Sequence, residues 1–134
     1  MQGAGIIFVN WHQEVLLFLR DDKPAIPYPN TWDILGGGLE SGETPEQCIV
    51  REIREEIEYE LSQPALFQVS HIKEGTAYIF WQQAELDLAK TPLHEGQRLQ
   101  WFSEAAIRAM APAEIAFGFR DVLLAFFAQK PFAK

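Results

Sequence analysis

The stretch Trp32–Tyr59 reads WDILGGGLESGETPEQCIVREIREEIEY, and its two halves follow different rules. The first half ends in Gly36, Gly37 and Gly38, where the backbone is free to adopt conformations that other residues avoid. The second half opens as a helix. Thr44 is a good N-cap, Pro45 suits the first helical position, and Gln47 completes a capping box. The helix is predicted to run to about Ile57. At about 100° per residue, Ile49, Ile53 and Ile57 share an arc of about 80°, with Val50 just beyond, which marks the core face. Glu52, Glu55 and Glu56 share a different arc of about 100°, so their carboxylates converge on one patch of surface.

That patch holds most of the chain's charge. The 134 residues carry a formal net charge of −8. Residues 40–60 contain eight glutamates against Arg51 and Arg54, a local −6. An acidic surface of this kind disfavours nucleic-acid polymers and anionic membranes as partners. A Glu-rich helix is ordinarily a solvated face. Here, however, like-charged i,i+4 pairs cost about 0.2–0.5 kcal/mol each with few bases to offset them, and the carboxylates follow a glycine-rich turn. A divalent cation removes the repulsion. Carboxylates with a backbone carbonyl are hard oxygen donors that suit Mg²⁺ or Mn²⁺, and no Cys/His set has zinc spacing.

Outward from this centre, Ala4–Val9 and Glu14–Arg20 read as two strands joined by a turn. Asp21–Thr31 holds three prolines and reads as a long irregular loop. Trp32–Leu35 suggests a brief strand before the glycines. After Pro64, Ala65–Lys73 and Thr76–Glu85 are strand candidates around a Glu74-Gly75 turn, and Leu99–Phe102 is a last short strand. Ser103 caps a predicted helix over Glu104–Met110, Pro112 ends it, and Glu114–Gln129 reads as a final helix. The order mixes strands and helices without regular alternation. It predicts an α+β fold, a mixed sheet sandwiched between helices in one domain spanning 1–134.

Cys48 is alone, so no intrachain disulfide forms. The segment MQGAGIIFVNW lacks the basic region of a secretion signal, and the longest apolar run, Val122–Ala128, is too short to span a bilayer. These features lead to the expectation of a cytoplasmic protein. The glycine run is neither a Walker loop nor G-x-G-x-x-G, because Leu39-Glu40 and Ser41 stand where those motifs need other residues. Cys48 within the helix reads as a packed small residue, and His12, His71 and His94 are too scattered for a catalytic set.

The residues Gly37, Glu43, Arg51-Glu52-Ile53, Glu55-Glu56 and Tyr59 stand at the spacing G-x5-E-x7-R-E-U-x-E-E-x-G-U, where U is a bulky apolar residue. The stretch 37–59 therefore resembles the box of the Nudix hydrolase family, in its MutT-like members. Trp32-Asp33-Ile34-Leu35-Gly36-Gly37 is similar to the family's W-x-x-P-G-G lead-in. Glu95-Gly96 followed by Trp101-Phe102-Ser103 resembles its usual strand-to-helix passage. Two positions depart: Glu58 stands in place of the box glycine, and Leu35 in place of the common proline. The glycine ends the helix in a left-handed conformation. Glutamate there implies a longer helix, a different exit, or local strain of about 1 kcal/mol.

The resemblance implies a Nudix-type α/β/α sandwich and Mg²⁺-dependent hydrolysis of a pyrophosphate bond in a nucleoside di- or triphosphate derivative, with Mn²⁺ able to substitute. It implies Glu52, Glu55, Glu56 and the Gly36 carbonyl as metal ligands. Glu52 is the expected general base, with Glu95 or Glu114 as alternatives from later loops. Arg51 and Glu43 are expected to orient the glutamates. Tyr28, Trp32 and Phe80 are the candidates for substrate contact by stacking. The expected partner is a small nucleotide, and homodimers occur among relatives. Alternatives are a nucleotide-sugar or dinucleoside polyphosphate hydrolase, and a nucleotide-binding sensor that does not hydrolyse.

Overall fold

Along β1 (Gln2–Val9), Ile6 and Phe8 enter one apolar cluster while Ile7 and Val9 enter another. This two-residue alternation places a core on each face of the sheet. A computed structural model of the chain describes residues 1–133. Its described residues form a seven-stranded mixed sheet. β1 runs parallel to β6 (Gly75–Gln83), from Gln2 opposite Thr76 to Val9 opposite Gln83. β5 (Ala65–Ile72) closes that side, antiparallel to β6. On the other side β1 meets β2 (Val15–Leu19) through a tight turn, and β2 pairs with both β3 (Trp32–Asp33) and β7 (Arg98–Phe102).

The glycine run is a strand, not an open turn. β4 (Leu35–Gly38) pairs antiparallel with β1, setting Gly3, Ala4, Gly5 and Ile6 opposite Gly38, Gly37, Gly36 and Leu35. A Cβ on Gly36 would run into the carbonyl oxygen of Ala4, so glycine is what lets the two backbones pair there.

α1 (Pro45–Ile57) starts as predicted. Thr44 Oγ1 accepts from Gln47 N at 3.1 Å, and Gln47 Oε1 accepts from Thr44 N at 2.9 Å. Cys48, Ile49, Ile53 and Ile57 pack against Ala4, Ile6, Phe8, Leu16 and Leu35. Burying each such isoleucine contributes about 1.5–3 kcal/mol. The opposite face is covered by α2 (Glu104–Ala109) and α3 (Phe119–Gln129), through Ile107, Phe119, Leu123 and Phe126.

The last helix starts later than the sequence suggests. Pro112–Glu114 and Ala116–Gly118 are separate 3-10 turns, and α3 begins at Phe119. Phe117 and Gly118 have φ of 60° and 72°, which interrupts the helical path. No helix among the described residues is long and apolar enough to cross a membrane.

Candidate active site

Arg51 is the hub of the acidic patch. From the exposed side of α1 its Nε donates to Glu43 Oε2 at 2.7 Å and its Nη2 to Glu43 Oε1 at 2.9 Å. Nη2 also reaches the Gly38 carbonyl at 3.2 Å. Nη1 donates to Glu52 Oε1 at 2.9 Å and Glu55 Oε1 at 3.0 Å. One side chain thus ties the loop before α1, strand β4 and two helix glutamates together. The bond to Arg51 holds the Glu43 carboxyl down at about 2, and the bond to Glu43 raises the Arg51 guanidinium.

Behind Arg51 the carboxylates crowd. The Glu52 carboxylate occupies the space where a side chain on Gly37 would go. Burial raises its pKa, and the bond to Arg51 opposes that rise. Glu56 is pushed up to about 7, first by burial and then by Glu95 and Glu52. Glu95 comes from the loop before β7, and its negative charge helps to raise both Glu56 and Glu52. Glu114 is elsewhere: its carboxylate accepts from Ala111 N at 2.8 Å and caps a 3-10 turn. Of the two later glutamates, only Glu95 joins the patch.

Hard oxygen donors with more negative charge than Arg51 neutralises are chemically suited to a divalent cation. Glu56 is raised first by burial and then by the neighbouring Glu95 and Glu52 charges, which a bound cation would offset. Among the described residues, no three His, Cys, Asp or Glu side chains are already gathered around one metal position.

A cavity of about 230 Å³ lies beside the same glycines. Gly3, Gly5, Gly36, Gly37 and Gly38 line it together with Arg20, Asp33, Phe117 and Phe119. Asp33 is 5% exposed. Its Oδ2 accepts from Arg20 Nη1 at 2.9 Å, while its Oδ1 has no hydrogen-bond partner. Burial raises the Asp33 carboxyl to about 7 against the lowering effect of Arg20. The Arg20 guanidinium lies over the Phe117 ring, 5.2 Å from its centroid. Phe117 itself has a left-handed backbone, with φ 60°. Sequence reasoning missed Asp33 and Arg20. The available signal was a carboxylate inside an otherwise apolar strand.

The three aromatic residues expected at the substrate fare differently. Tyr28 packs on Phe117 at 4.6 Å between centroids, and its hydroxyl donates to Glu74 Oε2 at 2.6 Å. It lines a second, open crevice that shares Phe117 and Ile72 with the first cavity. Trp32 packs edge-on against Phe102 at 4.8 Å with Arg98 over its ring, and it is its neighbour Asp33 that faces the cavity. Phe80 is 2% exposed in the cluster beneath α1 and lines neither the cavity nor the crevice. On β6 its side chain falls on the α1 face because the strand alternates. Cys48 is fully buried and its thiol is pushed up to about 11 by burial, as a packed residue should be.

The family profile described as NUDIX domain matches residues 1–126. The chain belongs to the Nudix family. It is 33% identical over 100 residues to an RNA pyrophosphohydrolase of Zymomonas mobilis, covering 75% of this chain and 60% of that one. It is 43% identical over 58 residues to a putative 8-oxo-dGTP diphosphatase of Bacillus subtilis, covering 43% and 35%. The chain thus spans between about a third and three fifths of these relatives. The crystal structure of a MutT protein from Methanosarcina mazei Go1 superposes with a TM-score of 0.74 at 20% identity, covering 98% of this chain and 95% of that one. The mixed sheet between helices is therefore the Nudix fold.

Both departures from the Nudix box find a structural account. Leu35 is 1% exposed opposite Ile6 and fills the core under α1. Glu58 ends α1 with φ 54° and ψ 39°, its N–H bonded to Arg54 O at 3.1 Å. The helix is not lengthened: glutamate takes the left-handed position itself, at a cost of about 1 kcal/mol.

Proposed function

We propose that this Nudix protein hydrolyses a pyrophosphate bond in a small nucleotide, with Mg²⁺ as the metal and Mn²⁺ as a substitute. The substrate class is a nucleoside triphosphate, including oxidised ones, or a nucleoside diphosphate derivative. The observation that carries the reading is the position of Gly37, which borders the cavity on one side and meets the Glu52 carboxylate on the other. A nucleoside seated among Asp33, Phe117 and Phe119 would direct its phosphates past the glycine strand to the glutamates. The names of the curated relatives, a diphosphatase and a pyrophosphohydrolase, support the same bond type.

Glu52, Glu55, Glu56 and the Gly36 carbonyl would hold the cation. When bound, it would neutralise phosphate charge and make a bound water more acidic. Arg51 and Glu43 brace this set. In the reaction, a water oxygen bonds to phosphorus, the bridging P–O bond breaks, and the water's proton passes to Glu52. A second reading gives the proton to Glu95. In its favour, Glu52 Oε1 is already held by Arg51, whereas the Glu95 charge acts on Glu56 and helps to raise it.

The test is a nucleotide panel with Mg²⁺, reading phosphate and pyrophosphate release. Turnover of a nucleoside triphosphate supports the proposal. Turnover confined to nucleotide sugars or dinucleoside polyphosphates replaces the substrate class. Binding without turnover across the panel makes the protein a sensor instead.

A further inference from the structure

The box glycine is replaced by Glu58, and Glu58 Oε2 meets His94 Nε2 at 2.6 Å. The main chain of the same histidine is tied to the same helix end, its N–H bonded to Glu56 O at 2.9 Å. The next residue is Glu95, carried to this helix end by the His94 bond to Glu56 O, where its charge acts on Glu56 and Glu52. On its far side Gly96 has φ +94°, and a Cβ there would lie 2.9 Å from Leu19 O. Gln97 N donates to that Leu19 oxygen at 2.8 Å. Glu95 is therefore pinned from both directions, by His94 on α1 and by Gly96-Gln97 on β2.

We infer that Glu58 and His94 form a latch whose task is to hold Glu95 in the carboxylate site. The side chains of Glu58 and His94 are 60% and 55% exposed, and a pair so exposed contributes little to stability. A left-handed glutamate is also the costlier way to end the helix. What the pair fixes is a position: it joins the loop that carries Glu95 to the last turn of the helix that carries Glu52 and Glu56. Glu58 and His94 are positioning residues, and the inference rests on the second reading above, in which Glu95 takes part in the chemistry.

Glu58→Gly separates this role from a structural one, because glycine adopts the left-handed conformation without strain. The variant is expected to match or exceed the parent in Tm while its kcat falls about tenfold at unchanged KM, the scale of a displaced catalytic group. Hydrogen exchange at the His94 amide is expected to accelerate at least about tenfold, a readout independent of turnover. Glu58→Gln keeps an acceptor for the His94 ring and is expected to restore both. In a Glu95→Gln background, Glu58→Gly is expected to change kcat by less than about twofold. Equal losses in both backgrounds would overturn the latch, as would an unchanged His94 exchange rate. Parent-like turnover by Glu95→Gln would also overturn it, while leaving hydrolysis by the parent protein intact. If the parent turns over nothing, the reaction proposed above fails, and the exchange arm still decides whether the latch exists.

Discussion

Arg51 grips Glu43 through two parallel hydrogen bonds, Nε to Oε2 at 2.7 Å and Nη2 to Oε1 at 2.9 Å. The geometry needs a planar fork, which lysine does not have. Arg51→Lys keeps the charge and loses the simultaneous hold on Glu43, Gly38, Glu52 and Glu55. It is expected to lower kcat about 10- to 100-fold and Tm by a few degrees, read by steady-state kinetics and a thermal melt. Because the Glu43 carboxyl is held at about 2, below its ordinary value, the brace is present above that ordinary value and is lost as pH falls toward 2. Between pH 5 and 8 it should contribute no pH dependence.

Glu56 makes the opposite prediction. With no metal bound its carboxyl is pushed up to about 7, so its ionisation opposes folding. Its contribution is harmless below the ordinary carboxylate range and becomes unfavourable as pH rises to 7. In chelator, Tm of the parent protein should fall over that interval, and Glu56→Gln should flatten the fall. Mg²⁺ at about a hundred times its Kd should stabilise the parent by about 2.7 kcal/mol and the variant by much less. Glu56→Gln should remain folded and lose at least about a hundredfold in turnover at saturating Mg²⁺.

Gly36 and Gly37 should fail in different ways when changed to alanine. At Gly36 the new Cβ meets backbone on β1, at a φ of +156°. Neither can move cheaply, so Gly36→Ala should destabilise by about 3 kcal/mol or more, or prevent folding. At Gly37 the three atoms nearest the new Cβ all belong to the Glu52 carboxylate, the end of a flexible side chain. Gly37→Ala should fold with a near-parental melt and lose at least about tenfold in kcat.

Asp33 couples the cavity to pH. Burial raises its carboxyl from 3.8 to about 7 despite Arg20. The folded state therefore favours the protonated form, and stability falls as pH rises from about 4 to about 7. Asp33→Asn should weaken that decline, visible in denaturant midpoints at pH 5 and pH 8. The same variant changes a residue that lines the cavity and whose Oδ1 is buried without a hydrogen-bond partner. It should alter the ratio of kcat/KM between purine and pyrimidine nucleotides more than it alters the rate common to both.

The sequence by itself determined α1, its cap and its two faces, because these depend on neighbours three and four residues apart. Thr44, Gln47, Ile49, Ile53 and the Glu52, Glu55, Glu56 triplet were all legible for that reason. The pairing of Arg51 with Glu43 was legible through the box spacing. Contacts between distant segments were not. Nothing local tells that Gly36–Gly38 pair with Gly3–Gly5, that Phe80 falls beneath α1, or that Phe117 interrupts the final helix and turns toward Asp33 and Arg20. Tertiary structure also committed Glu114 to capping a 3-10 turn and brought His94 to Glu58, 36 residues away. Helical periodicity fixes which carboxylates share a face; only the path of the chain across the sheet decides what they face.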